Sequence, residues 1–375
     1  MSALLPDIDP DGLLEFSVVF TDRSLNHMSA AFQDVMRDIS RLLKDVYKAD
    51  AVALVPGGGT YAMEAVARQL ATDARAMVIR NGYFSYRWSQ IFEAGAIPAG
   101  EIVMPARRTG NGAQAPFAPA AIEDVVARIR AEAPDVVFAP HVETSAGLIL
   151  PDDYLSAVSD AVHEVGGLFV LDCIASGCVW VDMEATGVDV LISAPQKGWS
   201  SSPSAGLVML SERGAARVRD RASTSFAIDL KKWLEIMDAY EAGGHAYHAT
   251  MPTDALRDFR DTMLECEAAG FPTLAEAQWT QGHAVRAALK AKGYQSVAAE
   301  GFEAPGVVVS FTDDPEMQMG KPFAAEGLQI AAGVPLMVGE GPDYRSFRIG
   351  LFGIDKLLDV DASVARFEAA LEKVA

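Results

Sequence analysis

The sequence predicts an α/β fold: a large domain with a mostly parallel central sheet flanked by helices, followed by a smaller C-terminal α/β domain. Three observations predict it. Short, continuous Val/Ile/Leu runs alternate with helical stretches up to about residue 250, as strands covered on both faces require. After that point the spacing of runs and helices changes. Glycine and hydroxyl residues follow several of the runs, where open parallel sheets collect their ligands.

Residues 29–48 place Phe32, Val35, Met36, Ile39, Leu42, Leu43 and Val46 at helical spacing. AVALV (51–55) reads as a strand and YAMEAVARQLA (61–71) as a helix. AMVIR (76–80) is a second strand, followed by a helix from about Tyr86. Ala120–Ala133 reads as a helix, DVVFAP (135–140) as a strand and Asp153–Val165 as a helix. GLFVLD (167–172), DVLIS (189–193) and AGLVML (205–210) complete the first set of strands. EAGGHAYHATMP (241–252) supplies turn residues between the domains. Beyond it come a long amphipathic helix over 274–290, strands in PGVVVSF (305–311) and SFRIGLF (346–352), and a closing helix over Val360–Val374. The expected division is therefore an N-terminal segment 1–28, a large domain 29–250 and a small domain 251–375.

The chain has 375 residues and a formal charge of −20, which argues against nucleic acid and anionic membrane surfaces, since both need Lys/Arg patches. Small anionic substrates remain open, because a site needs only a few local cations. Cys173, Cys178 and Cys266 are an odd number without a CxxC, so neither a structural metal site nor a disulfide framework is expected. No apolar run reaches membrane-spanning length, and the N-terminus lacks the basic-then-apolar order of a signal peptide. A cytoplasmic protein is expected.

Three positions ask for chemistry. PGGGT (56–60) follows a strand and opens a helix, so its backbone can approach an anion closely while the helix N-terminus offers free N–H groups. A plain glycine-rich turn would look the same. Asp172 ends an apolar strand, where a carboxylate is costly without a cation or donors; it pairs with a protonated ring nitrogen or caps the next turn. Lys197 is the only lysine between Lys48 and Lys231 and follows a buried strand. It either extends to water from the strand end or offers a desolvated amine to a carbonyl compound.

In order along the chain, PGGGTYAMEA (56–65), NGYFSYR (81–87), HVETSAG (141–147), LDCIAS (171–176), APQKGW (194–199), YHATMP (247–252) and FRIGLFG (347–353) resemble the motifs of fold type I pyridoxal-phosphate enzymes. More narrowly the chain resembles the class V aminotransferases of the alanine–glyoxylate and serine–glyoxylate kind, from about Ser29 to the C-terminus. The resemblance implies pyridoxal 5′-phosphate held covalently by Lys197, with Asp172 against its ring nitrogen, Phe84 stacked on its ring, and Thr144 and Ile174 touching it. Gly58, Gly59, Thr60 and Gln196 match the phosphate contacts. Tyr247 and Thr250 match residues that reach the phosphate from a neighbouring subunit, which implies a homodimer. Arg348 matches the arginine that grips a substrate carboxylate through a two-pronged hydrogen bond.

Two departures stand out. SSSPSAG (200–206) replaces a Pro-Pro-Gly stretch after the lysine, and LLEFSVVFTDRSLNH (13–27) replaces a Gly-Pro-rich opening that borders the substrate pocket. The implied activity moves an amino group from a small L-amino acid of the alanine, serine or aspartate type to glyoxylate or pyruvate, with Lys197 moving the proton. Phosphoserine-type transamination, a class V lyase or desulfurase, and a non-catalytic ligand-binding protein are the alternatives.

Overall fold

The computed structural model describes residue 9 and residues 14–374. Of the expected N-terminal segment 1–28, residues 1–8 and 10–13 lie outside the described residues.

Seven strands form the central sheet: β1 (Ala51–Pro56), β2 (Arg75–Arg80), β3 (Gly100–Pro105), β4 (Val136–Pro140), β5 (Leu168–Asp172), β6 (Val190–Ser193) and β7 (Ala205–Leu210). Their spatial order is β1-β7-β6-β5-β4-β2-β3. The pairs β6–β5, β5–β4, β4–β2 and β2–β3 are parallel, whereas β7 runs antiparallel to both β1 and β6. A mostly parallel sheet is what the continuous apolar runs predict. Strands β4, β5, β6 and β7 are buried at every residue, because helices cover both faces. Strand β3 has no counterpart in the sequence reading: GEIVMP is half-exposed at the sheet edge and lacks a continuous apolar run.

Helix α1 (Ala30–Tyr47) begins at Ser29, whose hydroxyl accepts the Phe32 N–H, and buries Phe32, Val35, Met36, Ile39, Leu42 and Leu43. Helices α2 (Gly59–Leu70) and α3 (Tyr83–Gly95) follow β1 and β2 directly. Helix α3 starts three residues before the expected Tyr86, because its first turn is held by tertiary contacts described below. Helices α4 (Ile122–Glu132), α5 (Asp152–Glu164), α6 (Glu212–Asp220) and α7 (Leu230–Glu241) complete the layers around the large sheet.

Beyond residue 250, α8 (Thr253–Ala269) buries Leu256, Phe259 and Met263 in the same apolar core as α1. Helix α9 (Phe271–Ala291) leads to a second sheet of β8 (Val307–Phe311), β9 (Ala331–Ala332) and β10 (Ser346–Gly350), in the order β8-β10-β9 with antiparallel pairing. Val285, Leu289, Val308, Phe323, Phe347, Ile349 and Phe367 form a separate core that the closing helix α10 (Val360–Val374) covers. A third cluster, with Ala146, Leu148, Val307 and Val309, joins the small sheet to the loop after β4. That contact brings β10 over the carboxyl edge of the large sheet.

Candidate active site

The parallel strands deliver their carboxyl ends to one edge. There β1 leads into the glycine turn, β2 into Asn81–Phe84, β4 into a short hairpin (Val142–Glu143 paired with Leu148–Ile149), β5 ends on Asp172, and β6 leads to Lys197. Registration is close: Asp172 lies opposite Ile192 on β6 and Pro140 on β4. A cavity of about 430 Å³ opens at this edge, roofed by Ala331, Arg348 and Gly350 of the small sheet. Its floor carries Gly59, Thr60, Phe84, Thr144, Asp172, Ile174, Gln196 and Lys197.

Asp172 is buried, and its Oδ1 accepts the Ile174 N–H at 2.9 Å. Burial pushes its carboxyl up to about 7; the Ile174 N–H opposes the rise, the nearby Glu143 charge adds to it and Arg87 opposes it. Such a carboxyl is short of a cationic partner. Burial lowers the Lys197 ammonium below the usual lysine range, and Arg348 lowers it further by like-charge repulsion. Burial likewise lowers the Arg348 guanidinium, against the opposing Glu143 and Tyr344. Arg348 Nε donates to the Ala332 carbonyl at 2.8 Å, which fixes the plane of the fork, while the guanidinium carbon stands 5.5 Å from the Phe84 ring centroid. Neither Lys197 nor Arg348 has an ion-pair partner among the described residues.

At the glycine turn, Gly58 caps α2 without a side-chain bond, and the space beside its Cα is open. A Cβ on Gly59 would stand 2.4 Å from Ile174 Cδ1, so glycine is what lets the helix end close on the cavity. One end of the Gln196 amide, Oε1, is buried without a hydrogen bond. Free helix N–H groups and the Thr60 hydroxyl make a cradle for an oxyanion, whereas Gln196 Oε1 is an acceptor and adds nothing to it.

No model of a known protein family matches the chain. A curated relative, the 2-aminoethylphosphonate–pyruvate transaminase of Paraburkholderia phymatum, is 28% identical over 357 residues, covering 92% of this chain and 90% of the relative. Another, named soluble hydrogenase, small subunit, from Synechococcus, is 25% identical over 93% of this chain and 88% of the relative. The solved alanine–glyoxylate aminotransferase of Nostoc superimposes with a TM-score of 0.79 at 21% identity, covering 93% of this chain and 88% of that one. The chain resembles aminotransferases over most of its length and shares the fold of the alanine–glyoxylate enzyme.

The sequence-predicted residues fall into two groups. Gly59, Thr60, Phe84, Thr144, Asp172, Ile174, Gln196, Lys197 and Arg348 meet at the cavity, with Gly58 one residue behind it at the helix cap. Tyr247 and Thr250 do not line it within one chain: Tyr247 is 56% exposed, and its hydroxyl shares a 3.2 Å hydrogen bond with Thr250 Oγ1. Residues 14–28 do not line it either; His27 packs against Tyr247 instead, with ring centroids 5.6 Å apart.

Sequence reasoning missed Arg87, Glu143 and Phe352. Arg87 Nη1 donates to Thr60 Oγ1 at 3.2 Å, and its guanidinium carbon lies 5.2 Å from the Phe84 ring centroid. The signal was its place three residues after Phe84, on the same helix face. Phe352 lies four residues past Arg348, where the chain leaves β10 and turns back over the lysine. Glu143 left no comparable signal, since it sits among polar His141, Thr144 and Ser145.

Proposed function

We propose that this chain is an aminotransferase and moves an amino group from a small L-amino acid to glyoxylate or pyruvate, with pyridoxal 5′-phosphate as its cofactor. The observation that carries the reading is the meeting of an unpaired, desolvated lysine, a buried carboxyl without a cation and an unpaired arginine in one cavity, beside a ready oxyanion cradle. The residues fit the cofactor. Lys197 would tether it, Asp172 would face its ring nitrogen, and Phe84, Thr144 and Ile174 would contact it. Gly58, Gly59, Thr60 and Gln196 would take its phosphate. When bound, the cofactor supplies an electron sink for the pair left behind as the α-proton departs.

The chain's own residues do the rest. Arg348 grips the donor's carboxylate through its outer nitrogens and so points the α-carbon inward. Lys197 Nζ, whose ammonium burial and Arg348 both disfavour, takes the α-proton and later returns one, acting as general base and then as acid. Asp172 would hold a negative charge toward the ring nitrogen, and a cation there would relieve the cost of its burial. The donor leaves as a 2-oxo acid, and a second 2-oxo acid then takes the amino group by the same steps in reverse.

Burial pushes the Cys178 thiol up to about 12, the Cys266 thiol up to about 11 and the Cys173 thiol well above its usual range. None offers the thiolate that desulfuration requires. All three cysteines are free, which supports a reducing, cytoplasmic setting. The exposed pair Tyr247 and Thr250 supports a homodimer in which each subunit completes its neighbour's phosphate site. The reading keeps a cofactor-binding domain over 29–250 and a small domain in the remainder of 251–375, with α8 packed back onto the large domain's core and residues 14–28 away from the cavity.

The test is the visible absorption of the purified chain with pyridoxal phosphate, before and after L-alanine, L-serine, L-aspartate and 2-aminoethylphosphonate are added separately. The last donor enters because a relative carries its name. A yellow band that one donor bleaches supports the reading and names the donor. A chain that stays colourless with the cofactor overturns it.

A further inference from the structure

Glu143 is fully buried on the hairpin after β4, and its two oxygens accept five hydrogen bonds. Oε1 takes the Phe84 N–H at 3.1 Å, the Ser145 N–H at 3.0 Å and the Ser145 hydroxyl at 2.7 Å. Oε2 takes the Ser85 N–H at 2.9 Å and the Ser85 hydroxyl at 2.6 Å. Those hydroxyls are themselves acceptors: Ser85 Oγ receives the Asn81 and Gly82 N–H groups, and Ser145 Oγ receives the Tyr83 N–H. Every backbone N–H from Asn81 to Ser85 therefore ends on this one carboxylate, directly or through a single hydroxyl.

These are the orphan donors of the first turn of α3 and the residues leading into it. Gly82, at the N-cap, has no side chain with which to satisfy them, so the cap comes from another segment of the chain. A negative charge at the positive end of α3 is favourable in addition to the hydrogen bonds. Space confirms the fit: a Cβ on Gly82 would stand 2.1 Å from Ser145 Oγ and 2.7 Å from Glu143 Cδ.

We propose that Glu143 is a positioning residue that fixes the Phe84 ring against the cofactor by capping α3 from the neighbouring hairpin. The inference rests on the pyridoxal-phosphate reading above. Phe84 is the second residue of α3, and its backbone N–H is among those the carboxylate binds. Replacing Glu143 by Gln keeps the shape but turns an NH₂ group toward N–H and O–H donors, so the first turn must shift and carry the ring with it.

The experiment is a double-mutant cycle on the cofactor-loaded protein, reading kcat, KM and the visible circular dichroism of the bound cofactor. Glu143→Gln is expected to lower kcat roughly 10- to 100-fold, as small misplacements of positioning groups do, and to reduce the dichroism. In a Phe84→Leu background the same change is expected to cost no more than about threefold, because the group it positions is gone. Equal losses in both backgrounds, or an unchanged dichroism with only a lower melting temperature, overturn the proposal. If Glu143→Gln does not fold, Ser145→Ala removes just the Tyr83 acceptor and one donor to the carboxylate, and it carries the same comparison. A wild-type chain that takes up no cofactor overturns both readings. Normal uptake with additive losses overturns only this one.

Discussion

The Lys197 amine stands 5.1 Å from the centroid of the Phe352 ring, so the aromatic face and the Arg348 charge act on the same ammonium in opposite senses. A ring face favours the charged form and a neighbouring guanidinium disfavours it. Burial, the largest influence, also disfavours it.

Opposite shifts follow from removing either neighbour. Phe352→Leu should lower the Lys197 pKa further, and Arg348→Met should raise it. The check is the pH dependence of the rate at which the cofactor-free chain turns yellow with pyridoxal phosphate. Shifts of the same sign would contradict the assignment. Lys197→Ala should abolish both the yellow form and turnover while leaving the circular dichroism of the fold unchanged.

Asp172 predicts a stability effect in the cofactor-free chain. Its folded pKa, about 7, lies above the unfolded value of 3.8, so between the two the folded chain binds a proton that the unfolded chain lacks. The stabilising contribution is full below the unfolded value and lost as pH rises through the folded one. Asp172→Asn should therefore be more stable than wild type near pH 8 by at most about 4 kcal/mol, with the difference shrinking as pH falls and vanishing only below the unfolded value of 3.8. Its turnover should nonetheless fall steeply, since the ring nitrogen loses its counter-charge.

Gly59 and Ile174 make a steric pair. Gly59→Ala should destabilise the fold by about 1–3 kcal/mol and weaken cofactor binding, because its Cβ meets Ile174 at 2.4 Å. Ile174→Ala in the same chain should recover most of the stability. Chemical denaturation of the single and double variants measures this.

Tyr247 and Thr250 predict complementation between subunits. Lys197→Ala and the double variant Tyr247→Ala/Thr250→Ala should each be inactive alone. Unfolded together and refolded in equal amounts, they should regain about one quarter of wild-type activity, since half the dimers are mixed and each holds one intact site. No recovery would place both residues in the same site as their own Lys197.

Much of the fold was legible because burial on two faces leaves a local mark. The runs at 51–55, 135–140, 167–172, 189–193 and 205–210 all became strands, and their ends located the glycine turn, Asp172 and Lys197. Strand β3 left no such mark because Gly100 and Glu101 are exposed and, Met104 apart, the rest is only partly buried, whereas β1, at the other edge, is buried along its middle. The direction of β7 was equally invisible, since an apolar run reads the same parallel or antiparallel.

By itself, then, the sequence determined which segments are buried and which polar residues sit at their ends, because those properties depend on neighbours along the chain. The tertiary structure alone decided that Arg348 of the small sheet approaches Phe84 of α3, that Arg87 turns onto Thr60, and that Glu143 caps a helix from another segment. Each of these joins residues far apart in sequence. The physical reason is that unpaired cations and orphan N–H groups find their partners across space, and nothing in their own segments records which partner that will be.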